Sequence, residues 1–179
     1  DLMAQAEHDE MASSIVITNS EDLAKKIQIE VANLIEDQPR KEIIKSSFEQ
    51  YGAIIVVKNI EEGIELVNKL APEHVEVMTE KPETILHNIK NAGAIFLGDY
   101  TPEPVGDYYA GTNHTLPTSG TARFTSPLNV NDFQKKTSVV FYSKEALRKA
   151  RKHIEIIANE EGLYGHGKAV SIRFEGDYE

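Results

Sequence analysis

The 179-residue chain has no cysteine and no tryptophan, and none of its apolar runs approaches the length of a membrane span. Without cysteine there is no disulfide framework, no thiolate zinc site and no thiol nucleophile. That composition fits a reducing cytoplasm. The short apolar runs exclude a membrane-spanning helix, and the opening residues lack a basic-then-apolar layout. Positive charge is also scarce: 19 Lys and Arg stand against 29 Asp and Glu, for a net charge of -10. With no sustained basic stripe, nucleic acid is not expected as a partner. The basic run Arg148-Lys149-Arg151-Lys152 lies within a charged helical pattern and reads as a solvated face.

What is present suits an ordinary soluble globular protein, with 40% hydrophobic and 27% charged residues. The length suffices for one well-packed domain, with or without a small appendage. The first eight residues, Asp-Leu-Met-Ala-Gln-Ala-Glu-His, read like the middle of a helix, so the chain is expected to be part of something longer.

Residues 14–18 form a short β-branched run. Ser20 follows as an N-cap for a helix with Leu23, Ile27, Val31, Leu34 and Ile35 at helical spacing. Beyond Pro39 a second helix is predicted from Lys41 to about Gln50. Residues 53–57 are continuously apolar, which predicts a strand buried on both faces. A helix over 61–70, a strand over 74–78, a helix over 81–91 and a buried strand over 94–97 come next. This alternation predicts an α/β fold with a parallel βαβ sheet, Rossmann-like but incomplete. Residues 100–128 read as one long Gly-, Pro- and Thr-rich loop, of the functional kind. Residues 137–142 are predicted as a further strand, and Ser143 as the cap of a long helix ending near Asn159. Residues 169–173 close the ordered part, and residues 175–179 are expected to fray.

The residues with chemistry to offer are concentrated in a few places. Ala71-Pro72-Glu73-His74 sets a carboxylate beside an imidazole where Pro72 stiffens the backbone and stops the preceding helix. Such a pair can supply an acid and a base to one substrate, although adjacent Glu and His are also common on solvated surfaces. Open parallel sheets place ligands at strand C-termini, whereas His74 opens its strand. Either that strand runs opposite to its neighbours, or the junction reaches a site from the side. Gln5 and His8, three apart on the opening helix, share a face; they are two potential metal ligands or a polar surface. Asp99 and Asp107 come after a buried strand, and Asp99 is the better explained as a turn residue. His114 lies among small residues that match a phosphate loop only in glycine content. His166 lies between two glycines after the helix stop at Gly162, and is a flexible surface residue or a ligand. His87 and His153, in the middle of charged helices, receive no role.

Taken together, these segments resemble the histidinol dehydrogenase family. The resemblance rests on Gln5-Ala6-Glu7-His8, Leu70-Ala71-Pro72-Glu73-His74, residues 91–98, Gly106-Asp107-Tyr108, residues 111–118, Asp132-Phe133-Gln134-Lys135, and Glu161-Gly162-Leu163 with His166, in the family's order. It implies an NAD-dependent zinc enzyme of histidine biosynthesis that oxidises L-histidinol to L-histidine through an aldehyde. It implies Gln5, His8, Asp107 and His166 as zinc ligands, Glu73 and His74 as the catalytic acid–base pair, and Glu161 as a substrate-contacting carboxylate. His74, His114 and the ligand residues would also line the substrate. Residues 1–142 would form the α/β domain carrying most of that site. Residues 143–179 would form a helical C-terminal arm, exchanged across a homodimer so that Glu161 and His166 complete the neighbour's site. The family's NAD-binding residues lie upstream of Gln5, so the chain alone is expected not to turn over histidinol. A paralogous dehydrogenase of another small amino alcohol or diol, and a non-catalytic zinc-binding dimerisation module, are the alternatives.

Overall fold

In a computed structural model, which describes residues 1–176, the helix caps arise from the local sequence. The frayed end expected over 175–179 falls in part on residues 177–179, which lie outside the described residues. The chain divides into two units, Asp1–Phe133 and a second that starts at Gln134.

In the first unit, α1 (Leu2–Ala6) precedes β1 (Ile15–Thr18). The Ser20 hydroxyl then accepts from the Leu23 N–H at 3.2 Å and opens α2 (Glu21–Ile35), whose first turn also carries Glu21 and Asp22. Both effects favour a helix start, by supplying an orphan donor with an acceptor and by placing negative charge at the positive end of the dipole. After Pro39 come α3 (Lys41–Tyr51) and β2 (Ala53–Val56). Asn59 caps α4 (Ile60–Leu70) through the Glu62 N–H at 2.9 Å. The unit continues through β3 (His74–Val77), β4 (Ala94–Leu97) and the short α5 (Glu103–Tyr108). Its core centres on Ala6, Ile35 and Ile44, with Met3 and Phe48 packed against them. Two buried serines tie the N-terminal segment down: Ser47 Oγ donates to the Ala12 carbonyl at 2.8 Å and Ser14 Oγ to the Leu2 carbonyl at 3.1 Å.

The fold is mixed α/β with parallel pairing, as the alternation predicts, but the sheet is divided. β1 pairs with β2 and β3 with β4, both parallel, and the two pairs do not join among the described residues. β2 is also not buried on both faces. Ile54 and Val56 are 37% and 46% exposed, because β1 is its one described strand neighbour.

Three further expectations are corrected. Residues 81–91 form two 3-10 turns (Pro82–Thr84 and Leu86–Asn88) instead of a helix. The side chain of Asn68 accounts for part of this: it donates to the Asn88 carbonyl at 2.8 Å and accepts from the Lys90 N–H at 2.6 Å and the Asn91 N–H at 3.2 Å. Backbone groups held by a distant amide cannot continue an i to i-4 ladder. The loop over 100–128 contains α5 and a 3-10 turn, Thr121–Arg123. Residues 137–142 are not a strand; Val139 and Phe141 are each 90% exposed, and no described strand pairs with them.

In the second unit, Ser143 accepts from the Ala146 N–H at 3.1 Å and caps α6 (Lys144–Glu160). Gly162 takes the left-handed conformation (φ 71°) that ends it. His166, between Gly165 and Gly167, sits on α7 (Tyr164–Ser171). Gly167 is buried where α7 meets α6, and Phe174 packs beneath the guanidinium groups of Arg148 and Arg151, 5.5 and 5.7 Å from the ring centre. No helix among the described residues is long and apolar enough to cross a membrane.

Candidate functional site

The Ala71–His74 junction shapes the site. α4 ends with Ala71 in the left-handed region (φ 50°, ψ 59°), fully buried, its N–H bonded to the Val67 carbonyl at 2.8 Å. Pro72 cannot extend the helix, so the chain turns and enters β3. The Gly93 N–H donates to the Pro72 carbonyl at 3.0 Å and the Ala94 N–H to the Glu73 carbonyl at 2.8 Å, which sets the register from His74↔Ala94 to Val77↔Leu97. Side chains alternate along a strand. Val75 and Val77 therefore take one, buried face, while His74 and Glu76 take the other. Phe96, opposite Glu76, shares that second face, and its ring centre lies 6.0 Å from that of His74.

Helix α5 covers this face. Gly98 (φ 84°) turns the chain out of β4, and Thr101 Oγ1 anchors the turn on the Leu97 carbonyl at 2.8 Å. The carboxylate of Glu76 accepts from the Glu103 N–H at 2.8 Å, at the positive end of the helix. Gly106 lets α5 come close: a Cβ there would stand 2.7 Å from Phe96 Cε1. Glu103 and Asp107, four residues apart on one helical face, are thereby aimed at His74.

The result is a cluster of one imidazole and two carboxylates. Donor atoms of His74, Glu103 and Asp107 all lie within 4.8 Å of one another, and this is the group of potential His, Asp and Glu metal ligands found among the described residues. His74 Nε2 is 3.7 Å from Glu103 Oε1, with the two side chains 18% and 17% exposed. Burial pushes the Glu103 carboxyl up to about 7, helped by the charge of Asp107, a hydrogen bond with it, and the charges of Glu76 and Glu73. Carboxylates crowded out of water hold a proton or attract a cation. One nitrogen and two oxygens suit a borderline divalent cation such as zinc.

The residues predicted from the sequence are only partly gathered here. His74 and Asp107 are brought together, and the Glu73 carboxylate is close enough to act on Glu103. Gln5 is half-buried on α1; that helix stops at Ala6, so exposed His8 lies in a turn, its N–H bonded to the Gln5 carbonyl at 3.3 Å. His114 is exposed in the loop after α5. Glu161 ends α6 and His166 lies on α7, both exposed in the second unit. Sequence reasoning missed Glu103. Its signal is the i, i+4 spacing to Asp107, which the loop-like composition of residues 100–128 hides.

The family model described as histidinol dehydrogenase matches residues 1–174. The chain is 53% identical over 177 residues to the histidinol dehydrogenase of Caldanaerobacter subterraneus subsp. tengcongensis, covering 99% of this chain and 41% of that protein. It is 51% identical over 173 residues to that of Bacillus subtilis, covering 97% of this chain and 40% of that one. The crystal structure of histidinol dehydrogenase from Elizabethkingia anophelis superposes with a TM-score of 0.87 at 36% identity, over 97% of this chain and 40% of that one. The chain thus spans about two-fifths of the length of these relatives, and it belongs to the histidinol dehydrogenase family.

Proposed function

We propose that this chain supplies the acid–base and metal-holding part of an NAD-linked enzyme that oxidises L-histidinol to L-histidine. The observation that carries the reading is the convergence of His74, Glu103 and Asp107 beside Glu73 in a chain of this family. The first oxidation converts the primary alcohol to the aldehyde, with loss of hydride and a proton. The second adds water to the aldehyde and removes another hydride, leaving the carboxylate; each hydride reduces one NAD. His74 takes the alcohol proton as hydride leaves the carbinol carbon. The imidazolium formed then faces Glu103 Oε1 at 3.7 Å. Glu73 accepts a proton from the water that adds to the aldehyde.

A cation such as zinc fits this face, since donor atoms of His74, Glu103 and Asp107 lie there within 4.8 Å of one another. Asp107, with Gln5, His8 and His166, would hold the ion. When bound, zinc would orient the amine and imidazole of histidinol. In a homodimer with exchanged tails, Glu161 and His166 would complete the site of the other copy. The two parallel strand pairs would belong to a larger Rossmann-like sheet, in a cytoplasmic enzyme whose NAD-binding residues lie outside this chain.

The test is NADH formation from histidinol by a full-length enzyme carrying this segment. His74→Asn should depress both oxidations, while Glu73→Gln should depress oxidation of the aldehyde more than that of the alcohol, by about 10²-fold. Turnover unchanged in both variants would overturn the assignment. The 179-residue chain alone should form no NADH.

A further inference from the structure

We propose that Arg123 is a positioning residue for the Glu73–His74 pair, acting through the left-handed turn at Ala71; the proposal rests on the reading of that pair as the acid–base couple. Ala71 is one of two non-glycine residues with positive φ among the described residues (φ 50°), and it is fully buried. A left-handed alanine is unfavourable by itself, and helices that end this way usually place glycine there. Such a conformation persists only where its surroundings hold it. Its own N–H bond to Val67 does not suffice to aim the residues after it, because Pro72, Glu73 and His74 must also meet β4 in register.

The surroundings come from two sides. On one side, β4 begins against the junction so closely that a Cβ at Gly93 would lie 2.5 Å from the Glu73 carbonyl and 3.1 Å from Pro117 Cδ. On the other, the 3-10 turn Thr121–Arg123, whose Ala122 is buried, is tied to the end of α4. The Arg123 guanidinium spans the gap: Nη1 donates to the Gly120 carbonyl at 2.7 Å and Nη2 to the carbonyl of Lys69 in the last turn of α4. Gly120, left-handed at φ 76°, passes close to the Leu70 carbonyl. The carbonyls that end a helix lack intrahelical partners and carry its negative pole. A permanently charged planar donor can bind one of them and a loop carbonyl together, which an ammonium at the same place does less well. Arg123 thus joins the loop after Pro117 to the turn that delivers Glu73 and His74, without touching either.

Two measurements test this. In the 179-residue chain, amide exchange at Gly93 and Ala94, whose N–H groups bond to Pro72 and Glu73, should speed up about tenfold in Arg123→Ala. Exchange at Ala53 and Val57, bonded to Ser14 and Thr18, should stay unchanged. Arg123→Lys should restore part of the protection. Ala71→Gly, which removes the left-handed penalty, should restore more when combined with Arg123→Ala. In a full-length histidinol dehydrogenase carrying this segment, Arg123→Ala should lower kcat about tenfold with KM moving less than twofold, because misplaced groups lose rate more than binding. Equal acceleration at all four amides, or no rescue by Ala71→Gly, would show a merely structural role and overturn the proposal. An unchanged kcat in Arg123→Ala, in an enzyme that His74→Asn inactivates, would overturn it as well. If His74→Asn itself leaves turnover intact, it is the acid–base reading that fails, while the exchange data still judge the clamp.

Discussion

His74 Nε2 and Glu103 Oε1 stand 3.7 Å apart, across the gap between the first residue of β3 and the first residue of α5. The imidazole arrives there because Pro72 ends α4, and the carboxyl because Glu76 fixes the start of α5. Both side chains are mostly withdrawn from water, 18% and 17% exposed.

Glu103 should make metal-free stability depend on pH. Burial, then Asp107, Glu76 and Glu73, raise its carboxyl from 4.5 to about 7. The folded chain therefore holds this proton more tightly than the unfolded chain. Stability is highest where the group is protonated in both states, falls as pH rises from about 4.5 to 7, and levels off above. With EDTA present, Glu103→Gln should be more stable than the parent chain at pH 8, by at most roughly 3 kcal/mol. The advantage should shrink towards zero near pH 4.5. Urea denaturation at both pH values measures the difference, and an equal gap at the two would contradict the assignment.

Gly106→Ala should damage the site through packing. The added methyl would meet two atoms of the buried Phe96 ring at 2.7 and 2.9 Å, so α5 must lift or the ring must move. Overpacking of this kind costs about 1–3 kcal/mol. Because α5 carries Asp107, the member of the cluster proposed to hold zinc, zinc affinity should fall about tenfold as it is displaced. Isothermal titration with zinc, alongside urea denaturation, separates this from an unchanged site on a weakened fold.

How much of this was legible in the sequence depended on whether the signal was local. The caps at Ser20 and Ser143 and the Pro72 break rest on a few adjacent residues, and the structure has all three. The apolar run at β2 records the capacity to be buried, but whether Ile54 and Val56 are covered depends on neighbours that its own residues do not specify. Residues 137–142 have β-branched and aromatic side chains yet no pairing strand among the described residues, since propensity without a partner does not make a ladder. Glu103 went unseen because α5 is only six residues long and holds Pro104 and Gly106, too short and broken for periodicity to register.

Ile44→Ala tests whether the core seats α1. Ile44 is fully buried and packs with Ala6, the one buried residue of that helix. Truncation should cost about 2–5 kcal/mol. It should also speed exchange of the Glu7 N–H, which bonds to the Met3 carbonyl, beyond the effect of the global loss. If Glu7 tracks the global change alone, α1 is held by the Ser14 bond to Leu2 and not by Ala6.

Asp107→Asn is the sharpest test of the cluster, because Asp107 serves it in two ways. It is one of three converging donors, and next to burial it is the largest influence raising Glu103. An asparagine keeps the size and the hydrogen-bonding oxygen but removes the charge, so zinc should bind at least tenfold more weakly. In the metal-free chain the Glu103 carboxyl should shift back towards the ordinary carboxylate range, visible in a 13C-carboxyl NMR titration. His87→Asn, which alters an exposed histidine in a 3-10 turn outside the cluster, should change neither quantity. Zinc affinity unaltered by Asp107→Asn would place the metal elsewhere. A Glu103 titration unaltered by it would mean that burial alone, and not the neighbouring carboxylate, holds the proton there.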